Sequence, residues 1–240
     1  MHVLLDRHIT AMIVVLLFSA ISLAVNATEK LMHMPFQLDD TSLPLTDVDL
    51  DGKRYTFSID TGSPTALHLS KEVMAKLSGL IIEPEKERTT DLTGKIYVND
   101  KFHIPQISIN GMLFKDVKGV SLTPWGMVLI PNGHIPTSMV IGLDLFKGKA
   151  VLIDYKGQNL SVADDVQALN VNVSDGWLAL PLQLTQEGIV VNVSQRLQRY
   201  NMVLDTGASV SVFWKDRLKS SFTRLSCQTV MLEMDNKGCE

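Results

Sequence analysis

Arg54-Tyr55-Thr56-Phe57-Ser58-Ile59-Asp60-Thr61-Gly62 recurs later in the chain as Arg199-Tyr200-Asn201-Met202-Val203-Leu204-Asp205-Thr206-Gly207. Both stretches open on Arg-Tyr, close on Asp-Thr-Gly and hold apolar residues between, the pattern of a β-strand that runs into a turn. The surroundings repeat as well. Leu67 and Leu69 follow the first triplet as Val210, Val212 and Phe213 follow the second. Upstream, Leu43-Pro44-Leu45 is echoed by Leu180-Pro181-Leu182, with extra residues around Gln186-Glu187-Gly188 in the second copy. Two copies of one β unit is the economical reading.

The rest of the chain fits that reading. Short runs rich in Val, Ile, Leu, Tyr and Thr are separated by turn residues at intervals that suit an all-β barrel or sandwich. Residues 43–50 and 54–59 flank Asp51-Gly52, residues 107–109 and 112–114 flank Asn110-Gly111, and residues 150–154 and 159–162 flank Tyr155-Lys156-Gly157, each a hairpin signal. One short helix is predicted over 70–77, with Ser70 as N-cap and Val73, Met74 and Leu77 on one face. At 240 residues, with 45% hydrophobic and 20% charged, the chain has the composition of an ordinary globular protein and can bury a real core. Its net charge of −4 is spread along the sequence, with no run of Lys and Arg dense enough to neutralise a phosphate backbone, so nucleic acid is not an expected partner.

An aspartate at the end of a buried strand is costly unless its charge is used or satisfied. The Thr and Gly that follow supply what is needed. Gly permits a turn whose N–H groups point at the carboxylate, and Thr can lock the loop by hydrogen bonding to the opposing copy. Two such loops meeting across a pseudo-dyad place Asp60 and Asp205 so close that both cannot ionise, and the pair holds one proton. One carboxylate then serves as general base toward a water while the other donates to a carbonyl oxygen. A lone Asp-Thr-Gly reads equally as a plain β-turn, but two in matched strand contexts point to chemistry. Ser63 follows the first triplet and Ala208 the second, so Ser63 is expected to donate to Asp60, making Asp60 the more readily ionised carboxylate and leaving the proton on Asp205.

Phe57-Ser58-Ile59-Asp60-Thr61-Gly62-Ser63 and Met202-Val203-Leu204-Asp205-Thr206-Gly207-Ala208-Ser209 resemble the active-site loops of the retropepsin/pepsin-like aspartic peptidases. Val140-Ile141-Gly142-Leu143 is similar to the segment that crosses behind the catalytic loop in that family, and residues 150–162 are similar to its closing hairpin. A glycine-containing flap over the substrate is then expected over 88–102, with Gly94 as its glycine. The resemblance implies an all-β acid-protease closed barrel and an aspartic endopeptidase. Asp60 and Asp205 would be catalytic, Thr61, Gly62, Ser63, Thr206 and Gly207 would support the loops, and Ile141 and Gly142 would form the crossing segment. A peptide or protein is the implied substrate; no cofactor and no metal are expected. Asp144 reads as a turn carboxylate, and Trp125 as packing.

The first copy fills residues 40–163 as a complete lobe, residues 164–177 form a polar linker, and residues 178–240 begin a second lobe with neither a flap nor an Ile-Gly crossing segment after Gly207. Truncation is the favoured reading of that second lobe; a fragment of a longer chain or a minimal lobe are the others, and self-association into a homodimer is another route to a pair. A non-catalytic exported peptide-binding protein, or an inactive remnant, is the competing function. Residues 1–27 read as a signal peptide: residues 9–25 are nearly all apolar, Arg7 precedes them, and Val25-Asn26-Ala27 is a small-x-small cleavage pattern. Export to the periplasm or the exterior follows, or membrane anchoring by residues 9–25 if that segment is retained. Cys227 and Cys239 pair or stay free with equal justification from sequence.

Overall fold

The computed structural model describes residues 31–90, 94–124, 135–171, 173–185, 188–195 and 198–211. The proposed signal segment, Trp125, and the Cys227–Cys239 region lie outside these residues. Among the described residues no helix is long and apolar enough to cross a membrane.

The architecture is mostly β-sheet with almost no helix. Ten strands form one sheet: β1 (Met32–Leu38), β2 (Pro44–Leu50), β3 (Lys53–Asp60), β4 (Leu67–Leu69), β5 (Ile81–Thr90), β6 (Ile96–Ile109), β7 (Met112–Ser121), β8 (Met139–Gly142), β9 (Ala150–Asp154) and β10 (Asn159–Ala163). They lie in the order β5-β6-β7-β4-β8-β3-β2-β1-β10-β9. Most pairs are antiparallel, but β3 runs parallel to β8, and β4 parallel to β7. β2 and β6 also meet in a short seam, where Leu50 faces Ile109 and Asn110 N–H donates to the Asp49 carbonyl at 2.9 Å.

Turn chemistry sets the hairpins. Asp51 and Gly52 take φ values of 53° and 80°, and Asn110 and Gly111 take 46° and 79°, so both two-residue loops have the positive φ pair whose twist matches the flanking strands. The helix predicted over 70–77 is a single turn, α1 (Lys71–Met74); the Ser70 side chain accepts from Val73 N–H as the N-cap. The region expected as a flap forms the far end of the β5–β6 hairpin, where Thr90 faces Ile96. Beneath these elements lies one core, in which Met34, Phe57, Ile104 and Leu160 are wholly enclosed.

The sheet begins at Met32, ahead of the boundary expected at residue 40. β1 changes partner midway: Met32 to Pro35 pair with β10, and Phe36 to Leu38 pair with β2. Pro35 stands at the switch, where its missing N–H costs no ladder bond and its carbonyl accepts from Thr46 Oγ1 at 2.8 Å.

A second, three-stranded sheet follows: β11 (Leu182–Thr185), β12 (Gly188–Gln195) and β13 (Gln198–Leu204), in that order. Its hairpin copies the first residue for residue. Leu45 faces Ser58 and Leu50 faces Lys53 in β2–β3; Val190 faces Val203 and Gln195 faces Gln198 in β12–β13, each number 145 higher, the separation of Thr61 and Thr206. This corrects one sequence expectation. Phe36 faces Thr46 as Leu182 faces Val191, so Leu180-Pro181-Leu182 is the counterpart of Met34-Pro35-Phe36 rather than of Leu43-Pro44-Leu45, and no extra residues separate the copies around Gly188.

Candidate active site

Asp60 ends β3, where its parallel neighbour in β8 is Gly142. The chain then turns back over that glycine: Gly142 N–H donates to the Ala66 carbonyl at 3.0 Å, and Leu143 N–H donates to the Ser63 carbonyl at 2.8 Å. A Cβ at position 142 would lie 2.0 Å from the Thr65 carbonyl oxygen, so only glycine lets the loop fold this closely onto the crossing strand. Ile141, fully buried, faces Ile59 on one side and Leu67 on the other. The crossing segment therefore clamps the loop from behind.

Within the loop, Asp60 Oδ1 accepts from Gly62 N–H at 2.9 Å and from Ser63 N–H at 3.1 Å. Asp205 Oδ1 accepts from Gly207 N–H at 2.8 Å. The two loops then exchange bonds. Thr61 N–H donates to Thr206 Oγ1, and Thr206 N–H donates to Thr61 Oγ1, both at 3.0 Å. Each hydroxyl in turn donates across the interface at 2.8 Å, Thr61 to the Leu204 carbonyl and Thr206 to the Ile59 carbonyl. Every polar atom of both threonine side chains is thus used, and both residues are buried.

This exchange sets the carboxylates face to face. A Cβ added to Gly62 would lie 2.5 Å from Asp205 Cγ, and one added to Gly207 would lie 2.5 Å from Asp60 Cγ. Each acid rests on the opposite loop's glycine, in a two-fold arrangement formed within one chain. Gly188 joins it from β12: its φ is 109°, and a Cβ there would lie 3.0 Å from the Thr61 carbonyl oxygen.

Electrostatics breaks the symmetry. The Asp60 carboxyl is pushed up to about 7, first by burial, then by the negative charge of Asp205 and the hydrogen bond between the two acids; the Gly62 and Ser63 N–H groups oppose the shift. Asp205 is the exposed member. Burial and the Asp205 charge act against a readily ionised Asp60, and the cause expected for one, a hydroxyl donated by Ser63, is not what the structure shows. The Ser63 hydroxyl is bonded to His68 Nε2 at 2.8 Å, and Ser63 reaches Asp60 through its backbone only. Asp144, in a 3-10 turn (Leu143–Phe146), faces Lys147 at 4.0 Å and takes no part in the pair.

His68 was not singled out by the sequence reading. Its signal is a polar residue between Leu67 and Leu69 in a strand, five positions after Ser63, where the second copy carries Phe213. Gly188 was likewise read as part of an inserted stretch rather than as a point of close approach.

No protein-family model matches the chain, and no curated protein matches it. Among solved structures, the chain is similar to a retropepsin-like aspartic protease from Rickettsia conorii, at 16% sequence identity and a TM-score of 0.38, with 57% of this chain and 92% of that chain covered.

Proposed function

We propose that the chain is an aspartic endopeptidase that hydrolyses peptide bonds with a water activated between Asp60 and Asp205, in an acid-protease fold. The observation that carries this reading is the reciprocal Thr61–Thr206 exchange, which brings two carboxyl groups into hydrogen-bonding reach with a proton to share. Asp60 holds that proton, because it is the more buried acid and faces the charge of Asp205. Asp205, ionised, takes a proton from the bound water as its oxygen adds to the scissile carbonyl carbon. Asp60 gives its proton to the carbonyl oxygen, and no covalent enzyme intermediate forms. Collapse of the resulting diol breaks the C–N bond, with a proton passing from the pair to the leaving amine. The β5–β6 hairpin, with exposed Ile96 and Val98, is the candidate cover for an extended peptide.

Cleavage of an unfolded protein substrate between pH 4 and 8 tests the reading. Asp60→Asn and Asp205→Asn should each lower kcat/KM by roughly 10²-fold or more. Activity should also fall as pH rises through about 7, where the pair loses its proton. Cleavage retained in both variants would remove the proposal.

A further inference from the structure

Ser63 and His68 form a pair that the chemistry above leaves unused. Ser63 is pinned through its backbone on both sides, its N–H on Asp60 Oδ1 and its carbonyl held by Leu143 N–H. What remains free is rotation of the hydroxyl. Because its own N–H already lies 3.1 Å from Asp60 Oδ1, that rotation can carry the hydroxyl onto the same carboxylate. In the structure it lies elsewhere, 2.8 Å from His68 Nε2, in space that a Cβ on Gly142 would crowd at 3.0 Å. His68 is fixed for the purpose. It stands in β4 between Val120 of β7 and Val140 of β8, and its side chain lies on the face opposite the enclosed Leu67 and Leu69.

We propose that His68 is a positioning residue of the pair, which holds the Ser63 hydroxyl off the Asp60 carboxylate and thereby keeps Asp60 the acid. This rests on the reading of Asp60 and Asp205 as a proton-sharing dyad. A hydroxyl donated to a carboxylate favours its ionised form, so a Ser63 that reached Asp60 would work against proton retention. The groups that act on Asp60 are Asp205 across the pair and the Gly62 and Ser63 N–H donors. Burial is what acts on His68, lowering it to about 4, so the imidazole stays neutral while the dyad titrates. The device belongs to one loop only, since Ala208 and Phe213 occupy the matching places of the second copy.

The test is a carbon-13 NMR titration of the aspartate carboxyl carbons in the full chain, with the Asp60 signal assigned from its loss in Asp60→Asn. His68→Phe should lower the Asp60 midpoint by about one pH unit, the effect of one hydrogen bond to a charged acceptor. Ser63→Ala should leave the midpoint close to that of the parent, and His68→Phe combined with Ser63→Ala should restore it. His68→Gln, which presents an amide near the Nε2 position, should keep the parent value. His68→Asn is too short to reach Ser63 and carries the same expectation as the phenylalanine variant if the latter does not fold. An unmoved midpoint in a folded His68→Phe or His68→Asn protein, or a drop that survives the added Ser63→Ala, overturns the proposal. Asp205→Asn separates the two ideas: an Asp60 midpoint that ignores Asp205 removes the dyad and this inference with it, whereas one that responds to Asp205 but not to His68 removes this inference alone.

Discussion

The β2–β3 and β12–β13 hairpins have the same register and end in the same triplet, yet they live in different surroundings. Val48 and Ile59 are each 1% exposed, whereas Val193 and Leu204, at the matching positions, are 46% and 51% exposed. Register and loop conformation follow from local sequence: strand pattern, Asp-Thr-Gly, and the bonds each loop makes to its own carboxylate. Burial does not. In the first unit β8 lies beside β3 and the rest of the ten-stranded sheet wraps the hairpin; in the second, β11 is the one further strand among the described residues. Among the described residues, one half of the site is held by a core, and the other by its own three strands and by the threonine bonds to the first half.

Truncating matched apolar positions should produce the largest contrast. Ile59→Ala should cost about 2–5 kcal/mol in urea unfolding, since it empties a packed site, whereas Leu204→Ala should cost no more than about 0.5 kcal/mol. Equal costs would mean that the second hairpin is buried as deeply as the first. The glycines come next. Gly62→Ala and Gly207→Ala each force the opposite carboxylate to move by close to an ångström, so each should lower kcat/KM by roughly 10²-fold with secondary structure retained by circular dichroism. A milder effect at Gly207 would show the less enclosed half yielding to the strain.

Thr206→Val strips the acceptor from Thr61 N–H and the donor from the Ile59 carbonyl, leaving a buried N–H unpaired at a cost of about 1–3 kcal/mol. Thr61→Val should match it if the exchange is symmetrical, and denaturation midpoints of the two variants measure the difference. The smallest effect is the pH dependence of stability. Asp60 binds its proton more tightly folded than unfolded, so its contribution is most favourable below pH 3.8 and is lost as pH rises toward about 7. His68 slopes the other way. Buried and neutral, its contribution is present above pH 6.5 and is lost as pH falls toward about 4. Asp60→Asn should therefore raise Tm by a few degrees at pH 7.5 and leave a Tm that climbs with pH between 4 and 6.5, measurable by scanning calorimetry.

Much of this was legible in the residues. Asp51-Gly52 and Asn110-Gly111 marked their hairpins because few residues tolerate two successive positive φ values, and the paired triplets marked the meeting of Asp60 with Asp205. β1 is not marked by local pattern, because a proline at position 35 is unusual in a strand interior and its tolerance there depends on a change of pairing partner. The role given to Ser63 failed for a related reason. Its neighbour in sequence is the Asp60 loop, but its neighbour in space is His68, delivered by β4 after the chain has turned back across β8. Matching Leu180-Pro181-Leu182 to the nearest similar tripeptide also misled, because side-chain identity in a short apolar run carries less information than ladder register.

The threonine exchange also sets an order of assembly. Thr61 completes its bonds with Thr206, 145 residues further along, so during synthesis the first loop stays half-built until the segment holding the second triplet has left the ribosome and docked. Until then Asp60 has no facing carboxyl group, and the arrangement is the last part of the molecule to be finished.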